Sequence, residues 1–452
     1  MLNFSDKFFY HIYPFGFCGV PYLNTYNTPA GGGLDAIAAH AGRIAALGVN
    51  ALYIGPLFES SSHGYDTVDY YHVDRRLGNN ESLRRLVCAF HSKGIAVILD
   101  AVFNHTGRDF FAFKDLQTAK AASRYAGWYA GLDWTRDNQH GDGFSYEGWA
   151  GHTSLVKLNL ECNEAREHLI NAALYWIDEF DIDGLRLDAA NVMSVDFMRE
   201  LSCCCKAKKS GFWLMGEAVG EDYRALAHEG CLDSVTNYEF YKSLWSSFND
   251  KNFFELSWTF KRAFYLDGLY SHIALYNFAE NHDVNRVASA LHNKAHLYPL
   301  YGILFCAPGI PSLYYGGEYG VHGERGAHDD HALRPVWQER WKRGNGAADL
   351  ERAISVFAKT RRESNALKYG SCRELYAAHE QFAFARETEA ERVLIAVNAA
   401  PLQERIVIAR DMLPSSAAQW EDILSGEVFT VDGGVLPLPL APSWIRILRE
   451  TA

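Results

Sequence analysis

Short apolar runs rich in β-branched and aromatic residues alternate along this chain with longer stretches whose apolar positions recur at helical spacing. Eight such runs can be read. They are FFYHIYP near residue 10, ALYIGP at 51–56, IAVILDAVFNH at 95–105, GLRLD at 184–188, FWLMGE at 212–217, a weak SVTNYEF at 234–240, ALYNFAENHD at 274–283 and PSLYYGGE at 311–318. Helical stretches lie between them, at 34–48, 81–94 and 164–180 among others, and several end in Gly, as a helix C-cap does. Repeated βα units build a parallel sheet, and eight of them close more naturally into a barrel than into an open sheet of that width. The pattern therefore predicts an α/β chain with a (β/α)₈ TIM barrel.

Two departures from the repeat predict further parts. The interval between the third and fourth runs is about twice the others, and its surplus of about 50 residues is rich in Trp, Tyr, Gly and Asp. This reads as a subdomain of residues 106–157 inserted on the face that carries the site, between barrel parts 1–105 and 158–370. After a closing helix over 348–370 the texture changes to alternating strand-like runs such as QFAFARE, RVLIAVN and RIVIAR, which predicts a C-terminal β-sandwich over 371–452.

Composition narrows the function classes. A formal charge of −12 without long like-charge blocks advertises no polyanion-binding surface, so nucleic acid and acidic membrane are not expected partners. No basic, apolar and small-residue start resembles a secretory signal, and no uninterrupted apolar stretch is long enough to span a membrane. Nine cysteines, three of them adjacent at 203–205, do not make a disulfide framework. The expectation is a reduced, cytoplasmic protein. Aromatics at 14% suit sugar stacking, although a large aromatic core gives the same figure.

In a barrel of this kind the C-terminal tips of the strands surround the active site. Four tips are unusually polar: Asp100, Asn104 and His105 on the third run, Arg186 and Asp188 on the fourth, Glu217 on the fifth, and Glu280, Asn281, His282 and Asp283 on the seventh. Any single tip is open to a structural reading as a cap or buried ion pair; four on one rim point to chemistry. Arg186 and Asp188 stand two apart on one strand and share a face, so the guanidinium is expected to keep Asp188 anionic. Glu217 follows the apolar FWLMG, and apolar surroundings would keep it protonated. An anionic and a protonated carboxyl are the requirement of retaining glycoside hydrolysis.

DAVFNH (100–105), GLRLDAA (184–190), GE (216–217) and ENHD (280–283) resemble, in order, the four conserved regions of glycoside hydrolase family 13, the α-amylase family. LVKLNLE (155–161) resembles its fifth, and HGYDTVDY (63–70) its second-strand loop. The resemblance implies Asp188 as nucleophile, Glu217 as general acid/base and Asp283 as the group that grips the distorted sugar. It implies substrate contacts from Tyr65, His105, Arg186, His282 and Arg286, with His63, Asp69, Asp100 and Asn104 orienting them. No cofactor is required, and a structural calcium is left open but not favoured: Asn104 matches a calcium ligand of many α-amylases, but Asp133, Asp137, Asp142 and Glu147 show no spacing that dictates a site.

Where true α-amylases commonly carry a Lys-His pair after the nucleophile, this sequence reads Asn191 and Val192, which argues against long starch as the preferred substrate. Residues 155–190 resemble instead the neopullulanase and cyclomaltodextrinase subgroup, which acts on short maltodextrins, cyclodextrins and pullulan. That subgroup usually carries an N-terminal β domain that builds its dimer. Here the first strand comes almost at once, and no oligomeric state is implied. The expected activity is hydrolysis of short α-1,4-linked, and also α-1,6-linked, gluco-oligosaccharides. Glucosyl transfer or isomerisation through the same covalent intermediate stays open, as does a non-catalytic, carbohydrate-binding barrel.

Overall fold

The computed structural model describes residues 4–27, 29–327, 329–344 and 346–451. The eight apolar runs form parallel strands β1 (Phe9–Ile12), β2 (Ala51–Ile54), β3 (Ala96–Ala101), β4 (Gly184–Leu187), β5 (Trp213–Gly216), β6 (Ser234–Val235), β7 (Tyr276–Phe278) and β8 (Ile310–Tyr314). They are hydrogen-bonded in the order β6-β5-β4-β3-β2-β1-β8-β7. A parallel bridge from Thr236, just past β6, to Tyr276 joins the two ends and leaves the barrel without a free edge.

Alternation along the strands separates two cores. Inward-facing Phe9, Tyr53, Ile98, Trp213, Met215 and Phe278 fill the lumen, and Phe4 stacks on Trp213 at 4.8 Å to floor it. Outward-facing Tyr10, Leu52, Val97, Leu185, Leu214 and Leu313 join the larger core under the helices. The lumen turns polar toward the strand C-termini. Asp100 is in register with Arg186, so both lie at one level, and Asp188 and Glu217 follow at the mouth.

The helices follow the sequence pattern with two breaks. Asn80–His91 starts on a capping box between Asn79 and Ser82. The stretch 34–48 divides at His40 into Gly33–Ala39 and Ala41–Ala46. The closing stretch divides at Ser364, whose hydroxyl accepts from the Leu367 amide at 3.1 Å and so starts Asn365–Tyr369 as a new helix after Ala347–Glu363. Among the described residues no helix is long and apolar enough to cross a membrane. All nine cysteines are unpaired; across the helix Val195–Lys208, Cys203 is exposed and Cys205 buried.

Between β3 and β4 lies a three-stranded antiparallel sheet of His105–Gly107, His152–Lys157 and Gly148–Trp149, with the helix Phe111–Ala119 beside it. Beyond the barrel, six antiparallel strands run from Ser371–Ala377 to Trp444–Glu450, and the ribbon of Glu404–Ala409 with Val435–Leu440 covers one face over Ile406, Trp420 and Leu438. The other face gives Phe382, Phe384 and Ile447 to the barrel core. Arg386 crosses this junction. Its Nη1 donates to the Cys306 carbonyl at 2.7 Å, at the end of the helix Leu297–Cys306, and its Nη2 to that of Gly370 at 2.9 Å. Arg361 donates to Phe305 and Ala307 at 2.9 and 3.0 Å, so two buried guanidiniums satisfy carbonyls that the helix end leaves open.

Candidate active site

Arg186 is the centre of the barrel mouth. Its Nη1 lies 3.0 Å from Asp100 and 2.8 Å from Asp188, and its Nη2 lies 3.0 Å from Glu217. Because both carboxylates touch one planar guanidinium, the Asp188 and Glu217 oxygens that do so can lie no more than about 8 Å apart. Glu217 is fixed further by the Ala189 amide at 3.0 Å and the Tyr238 hydroxyl at 3.5 Å.

This sharing corrects the electrostatics expected from sequence. Burial pushes the Asp188 carboxyl well above the usual carboxylate range; Arg186 pulls it down, and repulsion from Glu217 and Asp100 pushes it up again. One guanidinium divided among three carboxylates does not hold Asp188 anionic by itself. Nor does the apolar FWLMG strand surround Glu217 with apolar groups, since its partners are a cation, an amide and a hydroxyl. Asp188 and Glu217 therefore form one pair held on a single guanidinium.

Asp283 is held from two sides. His282 Nε2 lies 3.0 Å from Oδ2, and Arg334 Nη2 donates to Oδ1 at 2.9 Å. Burial alone would raise this carboxyl, but His282, Arg334 and Arg186 outweigh it and hold the group far below the usual range. The Arg334 guanidinium lies over the Tyr13 ring at 4.7 Å and also donates to the His282 carbonyl at 3.0 Å. The His282 ring lies nearly parallel to those of Tyr13 and Tyr65, at 5.8 and 5.6 Å between centroids, and Tyr65 hydrogen-bonds its Nε2.

A cleft of about 1280 Å³ opens above these groups and reaches Asp188, Glu217 and Asp283 together with Tyr65, His63 and His105. His105 lies on its wall, but both ring nitrogens are engaged: Nε2 donates to the Tyr65 carbonyl at 3.0 Å and Nδ1 accepts from Asn104 at 3.2 Å. Burial pushes this imidazole down to about 3, so it stays neutral and steadies Tyr65. Asp100 lies behind Arg186, where it also accepts from Tyr53 and Tyr65 at 2.7 and 3.2 Å.

Arg186 and His282 stand just behind the residues that line the cleft, bonded to its carboxylates, whereas Arg286 and Asp69 are bonded to neither Asp188, Glu217 nor Asp283. Arg286 is 0% exposed, because buried Glu280 draws it inward; the pair meets at 3.0 Å beneath the site. Asp69 faces outward, bonded to His72 at 2.7 Å, while Asp66 in the same segment turns inward to Ser62. Arg334, Tyr238 and Tyr13 were missed by sequence reasoning. Arg334 sits in an irregular loop far beyond the seventh strand tip, so no spacing announced it.

The insert contributes mainly its own core. Trp128, Tyr129, Phe144 and Tyr146 are buried and Trp134 is exposed; of the six aromatics singled out there, Trp149 alone lines the cleft. Its acids have protein partners: Asp142 is bidentate to Arg108 at 2.7 and 2.9 Å, Asp137 accepts the Asn138 and Gly143 amides, and Glu147 pairs with Lys157. Partial burial would raise Asp142, but Arg108, Asn138 and Gln117 bring it down to about 2. Among the described residues, no three His, Cys, Asp or Glu side chains are grouped to hold a metal ion.

Residues 11–363 match the family model described as the α-amylase catalytic domain, over more than three quarters of the chain. The chain belongs to the α-amylase family, glycoside hydrolase family 13. Residues 372–449 of this hydrolase match the neopullulanase-like C-terminal domain. The enzyme is 33% identical over 419 residues to a cyclomaltodextrinase of Thermoanaerobacter pseudethanolicus, covering 90% of this chain and 69% of that one. It is 31% identical to neopullulanase 2 of Thermoactinomyces vulgaris, covering 91% and 70%. Among solved structures it resembles the cyclic α-maltosyl-(1→6)-maltose hydrolase of Arthrobacter globiformis, with a TM-score of 0.83 and 26% identity over 99% of each chain.

Proposed function

We propose that this enzyme hydrolyses α-1,4 bonds in short gluco-oligosaccharides with retention of configuration, and accepts α-1,6 linkages as well. The observation that carries the reading is the Asp188–Glu217 pair on one guanidinium. Asp188 attacks the anomeric carbon and forms a glycosyl ester, while Glu217 gives its proton to the departing glycosidic oxygen. Water then attacks the same carbon, Glu217 takes its proton, and the Asp188 carboxylate leaves.

Two carboxyls on one guanidinium suit this sequence, because each half-reaction needs one member protonated and the other ionised. Asp283, held anionic, accepts hydrogen bonds from sugar hydroxyls and stabilises the positive charge that develops on the ring. Tyr65 offers a face for the sugar above Arg186. The subgroup is supported by the cyclomaltodextrinase and neopullulanase relatives and by Asn191 and Val192 at the acceptor end of the cleft. Incubation with maltotriose, cyclodextrins, pullulan and starch tests the reading: glucose or maltose is expected from the short substrates, and release from none of the four would remove it.

A further inference from the structure

The barrel floor holds a buried imidazole that takes part in neither proton transfer. His11 stands on β1 two residues beyond inward-facing Phe9, so it points into the lumen as well, and it is 2% exposed. Tyr53 on β2 and Tyr314 on β8 are in register with it. Its ring stacks on that of Tyr53 at 4.2 Å and lies 4.8 Å from that of Tyr314. A phenyl ring would fill the same space, so packing alone gives the two nitrogens no work.

His11 Nε2 is buried without a hydrogen-bond partner, and so is Nδ1 of His282. The two rings are neighbours: their centroids stand 5.2 Å apart with the planes at 89°. That separation is about what two imidazoles need to share one N–H···N bond, roughly 3 Å between the nitrogens and about 1 Å from each nitrogen to its ring centre. A buried nitrogen left unpaired is costly, and two on adjoining rings suit each other.

The protons can be assigned. Nε2 of His282 lies 3.0 Å from Asp283 Oδ2, an oxygen held anionic that can only accept, so Nε2 carries a hydrogen. Tyr65 meets the same nitrogen and donates its own hydrogen to Asp100 at 3.2 Å. Nδ1 of His282 is thus left wanting a donor when the ring is neutral and an acceptor when it is charged. Burial keeps the His11 imidazole well below its usual range, with His282 and Arg186 adding to the effect, so His11 is neutral and can offer either an N–H or a lone pair.

We propose that His11 is a positioning residue: in the working enzyme its Nε2 closes a hydrogen bond to Nδ1 of His282 and so holds that ring with Nε2–H turned to Asp283. The role rests on Asp283 gripping the sugar, as the hydrolytic reading has it. His11 itself touches no substrate. Because Asp283 matters most as positive charge grows on the sugar ring, losing the bond should slow the chemical step more than it weakens binding.

Steady-state rates on maltotriose test the role. His11→Phe keeps a ring but lacks both nitrogens, and should lower kcat by at least about tenfold with KM changed by less than about twofold. His11→Gln, whose amide can donate or accept, should stay within about threefold of the native rate. In a His282→Asn background, His11→Phe should cost less than about twofold more, because its effect passes through His282. Should the Phe variant fail to fold, His11→Met carries the same expectation. A native kcat in His11→Phe, equal losses in the Phe and Gln variants, or losses that multiply with that of His282→Asn would overturn the role alone. No cleavage of maltotriose, cyclodextrins, pullulan or starch by the native enzyme would bring down the hydrolytic reading and the role with it.

Discussion

Arg334 and Asp283, 51 residues apart in sequence, meet at 2.9 Å at the edge of the cleft. The same guanidinium reaches the His282 carbonyl, so one side chain fixes both the position and the charge of Asp283. Arg334→Met should lower kcat/KM on maltotriose by about 10- to 100-fold, and Arg334→Lys should recover little, because an ammonium lacks the planar fork that spans two acceptors. Steady-state rates on correctly folded variants decide it.

Asp188 and Asp283 should respond to neutralisation with opposite signs. The folded-state pKa of Asp188 is raised, so its stabilising contribution is present in acid and is lost as pH rises through that value; near neutrality its charge is a burden. Asp188→Asn should therefore reduce turnover by at least about 10³-fold yet raise Tm at pH 7 by about 1–3 °C. An unchanged rate would remove Asp188 from the mechanism.

The folded-state pKa of Asp283 is depressed, so its contribution is present above the ordinary carboxylate range and is lost only as acid protonates the folded group. Asp283→Asn should lower both turnover and Tm at pH 7, with the Tm gap to native narrowing as pH falls below about 4. Thermal scans of the variant and the native enzyme across that range measure it.

The insert is tied by the Arg108–Asp142 ion pair at 2.7 Å, and among the described residues no three His, Cys, Asp or Glu side chains are grouped to hold a metal. Treatment with EDTA should leave rate and Tm unchanged, whereas Arg108→Ala should lower Tm by about 2–4 °C, because it strips a partly buried carboxylate of its cation. A chelator-dependent loss of activity would show that the ion pair does not do this work alone.

At the junction of barrel and tail, Arg386→Ala would strip the buried Cys306 carbonyl, and the half-buried Gly370 carbonyl, of their Arg386 donor. It should cost about 2–4 kcal/mol in urea unfolding. Activity at low temperature should be kept, since the residue lies far from the cleft.

The barrel was legible because each strand tip advertises itself twice, once as the end of an apolar run and once as a polar residue where the run would otherwise continue. Asp100, Arg186, Asp188, Glu217 and Asp283 all follow that rule. What the rule cannot choose is between neighbours. Arg286 and Arg334 each sit beside aromatic rings, but burial of Glu280 claims the first, and an irregular loop carries the second back to Asp283. Asp66 and Asp69 are likewise three residues apart on one ribbon, and only folding decides which points inward. The surroundings of Arg186 were incompletely legible for a similar reason: spacing placed Arg186 beside Asp188 but could not show that Asp100 and Glu217 would claim the same cation.

That shortage of positive charge reaches past the chemical step. With three acids around one guanidinium, the floor of the cleft carries more acidic groups than cations. Small protonated ring amines, which bring their own cation to the place where a sugar would acquire one, should lodge there more firmly than neutral sugars of the same shape.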